Sequence, residues 1–183
     1  MFVPVHERLT FLGLTKKLGC GHEGCVYSTD HNTVVKTAQT KYALQELAVA
    51  EALQPLAGRH RIVPRIFGTG RLDEGLLAGG VPLVWIEREP LNDLQLSDEG
   101  EAQFTDSLGR LLGGVAGAKV PSRLPSYVPA QDRKLLMQLA IGFDWLRRHG
   151  FDLQDHNTSE NWGVRADGSV ALRDLGRIEM EKS

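Results

Sequence analysis

The sequence predicts an α+β protein in two lobes, a sheet accompanied by one helix and then a mostly helical half. Three patterns carry that prediction. Short runs rich in β-branched residues, bounded by glycine, proline or asparagine, fill much of residues 1–88. One stretch among them, Tyr42 to Leu56, instead spaces Leu44, Leu47, Ala48 and Leu53 at helical intervals. Beyond them, Ala130 to His149 sets Leu135, Leu136, Leu139, Ala140, Phe143 and Leu146 on one helical face. At 183 residues the chain suits one domain, taken as an N-terminal lobe over 1–88 and a reduced helical lobe over 89–183.

Along the chain, residues 11–18 lead into the stretch Leu18-Gly19-Cys20-Gly21-His22-Glu23-Gly24, and Cys25-Val26-Tyr27 leaves it in β-prone residues. Asp30-His31-Asn32 is turn material, and Thr33 to Ala38 is a second strand. The helix from Tyr42 ends before Ala57-Gly58. Ile62 to Gly68 and Val81 to Glu87 are two further strands, separated by a turn near Gly79-Gly80. Ser97 to Leu112 reads as a helix with Ser97 at its capped start. Prolines break Val120 to Pro129, and Gly150 stops the long helix. An asparagine- and acid-rich loop, 152–161, precedes the strand Trp162-Gly163-Val164, a turn at Ala166-Asp167-Gly168 and the strand Ser169 to Arg173.

A formal net charge of -2 argues against a nucleic-acid binder that works by neutralising phosphates. No apolar run approaches the ~20 residues of a membrane span, and the first eight residues lack the form of a signal peptide. The expected location is cytoplasmic, in the protein's own cell or, for an effector, in a host cell. Cys20 and Cys25, without further cysteines or nearby histidines, do not make a zinc site. A disulfide would pin a loop that has to move over a ligand, so both are expected as thiols.

Gly19-x-Gly21-x-x-Gly24 is a weak signal until its context is added. A dinucleotide fold would open a helix at the third glycine, whereas here a strand follows, with Val26 two residues on. Lys36 then lies on the next strand, in Val34-Val35-Lys36. A second constellation, Asp155 through Asn161 to Asp174-Leu175-Gly176, lies more than a hundred residues downstream. Together these residues resemble the protein kinase-like superfamily, and the resemblance covers most of the chain. It implies a two-lobed kinase-like fold whose N-terminal lobe is an antiparallel sheet with one helix. The backbone of Gly19, Gly21 and Gly24, under Val26, would approach the phosphates of ATP. Lys36 would neutralise phosphate charge, held by Glu46, with Glu51 as rival. Backbone groups of Glu87 to Glu89 would meet the nucleobase, with Ile86 behind it.

The resemblance also assigns the acidic loop. Asp155 would orient the acceptor hydroxyl and take its proton, while Asn161 and Asp174 would hold Mg²⁺ through hard oxygen atoms. The gap from Asp155 to Asn161 is six positions where the family has five, implying a one-residue insertion. Asp152 to Asn157 keeps five but would leave the asparagine too far from Asp174. Leu153 and Gln154 replace the family's histidine and arginine, and Leu175 its phenylalanine, so activation by a phosphorylated loop is not expected. A metal hydrolase built on His156 and these carboxylates would leave the glycine loop and Lys36 unexplained.

Only nine residues follow Asp174, so the peptide-docking platform of ordinary protein kinases is not expected. That economy resembles minimal kinase-like proteins of bacterial effectors and phages. It implies a Ser/Thr-type phosphotransferase that acts on itself or on a protein substrate, or works with a partner that covers the reduced lobe. The competing expectations are a pseudokinase that binds nucleotide or a partner, and a small-molecule phosphotransferase.

Overall fold

The chain divides into two units, each with its own secondary structure. The computed structural model describes residues 9–22, 24–72, 82–105, 124–153, 159–176 and 178–180. One unit takes the residues up to Pro55 together with Arg65–Pro90; the other takes Leu56–Pro64 and the chain from Leu91 onward.

The first unit is a five-stranded antiparallel sheet in the order β1-β2-β3-β5-β4. Its strands are β1 (Leu14–Gly21), β2 (Gly24–Thr29), β3 (Val34–Ala38), β4 (Ile66–Leu72) and β5 (Leu83–Arg88). Side chains alternate faces along a strand, so β3 puts Val35 on one face and Lys36 on the other. On the first face Val35 packs with Leu9, Leu12 and Leu83, with Trp85 alongside. On the other lies helix α1 (Ala43–Leu53), whose Ala43, Leu47, Val49, Ala50 and Leu53 are buried. A 3-10 turn, Gln54–Leu56, ends this helix where Pro55 withdraws a backbone donor. The β2–β3 turn is held by Thr29, whose hydroxyl oxygen accepts from the N–H groups of His31 (3.2 Å) and Thr33 (3.1 Å). Asn32 takes the left-handed conformation there, φ 60, which asparagine tolerates well.

The strand expected from Ile62 to Gly68 starts later, at Ile66. Pro64 has no N–H for a ladder, and Ile62 to Pro64 belong to the other unit. Of the helix expected over Ser97 to Leu112, Asp98–Gln103 is described as α-helix, and residues 106–112 lie outside the described residues. The turn near Gly79-Gly80 also lies outside them.

The second unit is built on helix α3 (Ala130–Arg148), preceded by the short α2 (Asp98–Gln103). Gly150, at φ 80, ends the polypeptide's helical course in the left-handed region that favours glycine. The apolar face of α3 packs on β7 (Phe151–Leu153) and β9 (Val170–Leu172). Strands β6 (Asn92–Asp93), β8 (Trp162–Val164) and β9 form one antiparallel sheet; β7 pairs with β10 (Ile178–Met180) in another. As expected, Ser97 caps α2: its hydroxyl oxygen accepts from the Gly100 N–H at 3.1 Å. The buried Asp132 carboxylate in turn accepts from the Ser97 N–H and hydroxyl, joining α2 to α3. Arg165 reaches back to the carbonyls of Arg61 and Val63, which fastens the 56–64 segment to the β8–β9 hairpin.

The rings of His60, Trp145 and His149 stack, with centroids 5.1 and 3.8 Å apart. Burial first, and the charge of His149 second, hold His60 below its ordinary value of 6.5. The folded state therefore binds fewer protons at His60 than the unfolded chain. Its contribution to stability is present above about pH 6.5 and is lost as pH falls through the folded value. Thermal midpoints measured between pH 7.5 and 5 should fall more steeply for the wild type than for His60→Phe, which keeps a ring on Trp145.

Candidate functional site

The glycine-rich segment is the tip of the β1–β2 hairpin, with Gly19 opposite Val26, Cys20 opposite Cys25 and Gly21 opposite Gly24. The three glycines differ in what they do. A Cβ on Gly24, at φ 151, would lie 1.9 Å from the Thr37 carbonyl oxygen, so this position serves the sheet itself. Added Cβ atoms on Gly19 and Gly21 would meet nothing within 4 Å. Internal packing does not explain glycine at these two, whereas close approach of a ligand to the backbone would.

Cys20 and Cys25 are joined as a disulfide, which corrects the expectation of two thiols. The cause is the register: residues directly opposite in an antiparallel pair bring their Cβ atoms close enough to bridge. Once the hairpin turns between Gly21 and Gly24, the flanking cysteines face one another. That spacing was the signal in the sequence. The bridge sits poorly with a reducing compartment.

Lys36 and Glu46 form a buried ion pair, Nζ to Oε1 2.7 Å, with side chains 13% and 4% exposed. Glu51, the rival partner, is exposed. Val26, Lys36 and Ile86 are register partners across β2, β3 and β5, and so occupy one row on one sheet face. Charged side chains are rarely buried unless partnered, and α1 supplies the partner from its first turn. The expected helix glutamate is thus in contact with the expected strand lysine.

Glu87 is the penultimate residue of β5, and its carboxylate accepts from the Thr33 hydroxyl at 2.6 Å. Glu89 is tied to Arg65 twice: its N–H donates to the Arg65 carbonyl at 3.0 Å, and its carboxylate accepts from the Arg65 N–H at 2.8 Å. A nucleobase at this strand end would have to compete for the Glu89 N–H.

In the second unit Asp155, with Gln154, His156, Asn157 and Thr158, lies outside the described residues. Asp152, its rival, is half-buried on β7 opposite Glu179. Asn161 and Asp174 are brought together through the backbone: the Asn161 carbonyl accepts from the N–H groups of Arg173 (2.8 Å) and Asp174 (3.1 Å). The Asp174 carboxylate accepts from the Gly176 N–H at 3.0 Å, which orients it within Asp174-Leu175-Gly176. A carboxylate and a side-chain amide oxygen are hard donors of the chemical type that suits Mg²⁺. Among the described residues no cluster of three or more His, Cys, Asp or Glu gathers at one point. No helix among them is long and apolar enough to cross a membrane.

Neither a protein-family model nor a curated protein matches this chain in sequence.

Proposed function

We propose that the chain is a minimal kinase-type phosphotransferase that uses ATP with Mg²⁺ and transfers to a hydroxyl group. One observation carries this reading. A half-buried strand lysine, in one row with Val26 and Ile86, pairs with a buried helix glutamate, beside a glycine hairpin open at Gly19 and Gly21. A structural ion pair alone would explain the burial but not the two glycines.

Phosphoryl transfer spreads negative charge over the equatorial oxygens, so positioning and electrostatics do most of the work. In this reading the Lys36 ammonium, kept in place by Glu46, meets the phosphate charge. The backbone N–H groups near Gly19 and Gly21 approach the same oxygens. Asn161 and Asp174 would hold a magnesium ion, which would supply positive charge to offset the charge that builds during transfer. Asp155 remains the residue proposed to orient the acceptor and accept its proton. The acceptor class is a protein hydroxyl, on this chain or on a partner.

Label transfer from [γ-³²P]ATP in magnesium, to the protein itself and to a generic acceptor protein, tests the reading. Wild type should transfer, and Asp174→Asn, a substitution of nearly equal shape, should lower the rate by roughly a hundredfold or more. Circular dichroism at the assay temperature confirms that each variant is folded. Absence of transfer in the wild type, with ATP·Mg²⁺ still raising its thermal midpoint, would replace this reading with a nucleotide-binding module.

A further inference from the structure

The second unit contains a cavity of about 470 Å³ that involves none of the residues assigned above. Its volume falls within the range of small-molecule sites, roughly 300–1,000 Å³. It lies between the 56–64 segment, helix α3 and the β8–β9 hairpin, and its floor is aliphatic, the buried Ile62 and Val170, with the exposed Ile141 at its edge. Arg59, Arg61 and Lys134 also line it, with a single carboxylate, Asp167.

The polar groups are not balanced. Asp167 already accepts from the Ser169 N–H (2.9 Å) and hydroxyl (2.6 Å) through one oxygen, and its other oxygen faces Arg61 at 3.5 Å. Among the described residues no carboxylate lies within ion-pair distance of Arg59 or Lys134. Gln138 spends its amide oxygen on the Val170 N–H at 3.1 Å, which turns its NH₂ group to donation. His60 accepts from the Ile62 N–H on Nδ1 at 3.1 Å, so the neutral ring carries its proton on Nε2. The wall therefore carries three cations against one carboxylate, and the acceptor atoms of Gln138 and His60 are already engaged.

We propose that this cavity binds a small amphiphilic anion, with an apolar body on the aliphatic floor and a phosphate or carboxylate head toward Arg59 and Lys134. A guanidinium matches such a head in a two-pronged fashion, and an ammonium adds a compact point charge. An inorganic anion would leave the floor uncovered, and a neutral apolar molecule would leave the cations unanswered. Both halves are needed.

Calorimetric titration of the full chain with 1-naphthyl phosphate tests this, beside 1-naphthol and inorganic phosphate as the two half-ligands. The expected result is one site, with affinity for 1-naphthyl phosphate at least about tenfold above either half-ligand. The double variant Arg59→Ala/Lys134→Ala, at two exposed positions, should weaken binding by about tenfold or more while its thermal midpoint stays that of the wild type. Equal binding of 1-naphthol, binding unchanged in the double variant, or displacement of the probe by saturating ATP·Mg²⁺ would each overturn the proposal. Loss of nucleotide binding in a Lys36 variant leaves it untouched, because the cavity shares no residue with that site.

Discussion

Lys36→Met lowers the stability of the protein by about 3 kcal/mol, and adding Glu46→Leu recovers most of the loss. The Glu46 carboxylate is 4% exposed and 2.7 Å from the ammonium. Removing the ammonium leaves a buried negative charge without this counter-ion, which costs far more than the pair contributes when intact. Replacing both partners by apolar residues takes the charge away from α1 and β3 together, so the singles and the double are far from additive. Urea unfolding of the wild type, both singles and the double measures the coupling. Single variants that unfold at the wild-type midpoint would mean that Glu46 reaches water and that the pair is ornamental. The experiment also bears on the transfer assay: inactivity in a Lys36 variant is informative only at a temperature where that variant remains folded.

Gly24→Ala has an effect of similar size through a different cause. The added methyl would sit 1.9 Å from the Thr37 carbonyl oxygen, and φ 151 strains any residue with a Cβ. Either β2 and β3 separate near Cys25 and Thr37 or the backbone rotates, and the expected cost is about 2–4 kcal/mol. Gly19→Ala and Gly21→Ala meet open space, so their unfolding midpoints should stay within about 0.5 kcal/mol of wild type. If the proposed nucleotide role holds, those two variants nevertheless weaken the thermal shift given by ATP·Mg²⁺. One motif would then separate into a residue that serves the sheet and two that serve a ligand. Equal destabilisation by all three substitutions contradicts that division.

The elements with strong local signals were legible in the chain. Helix α3 has an uninterrupted apolar face with Gly150 as its stop, and both survive in the fold. Helix α1 and strand β3 were legible as elements, but the face of α1 was not: Leu44, read as apolar-face, is exposed while Glu46 and Val49 are buried, and the pairing of Lys36 with Glu46 rather than Glu51 came from the kinase resemblance and not from spacing. What escaped the sequence was decided by pairing partners. Strands β6, β7 and β10 are two or three residues long and carry no period of their own; each exists because a neighbour offers a ladder. Ile62 to Pro64 looks like a β-branched run, but Pro64 cannot donate, and the carbonyls of Ile62 and Val63 instead accept from the Leu172 N–H and the Arg165 guanidinium. The Arg59–Arg61 wall of the cavity has no motif at all, since its partners on α3 and the β8–β9 hairpin are more than seventy positions away.

The bond between Cys20 and Cys25 joins two positions that the ladder already holds opposite one another. Cleaving it with a thiol therefore leaves strand alignment as it was and changes only how far β1 and β2 can part at their tip. A reduced chain would accordingly keep the topology of the bonded one, and ambient thiol would act on the covalent link alone.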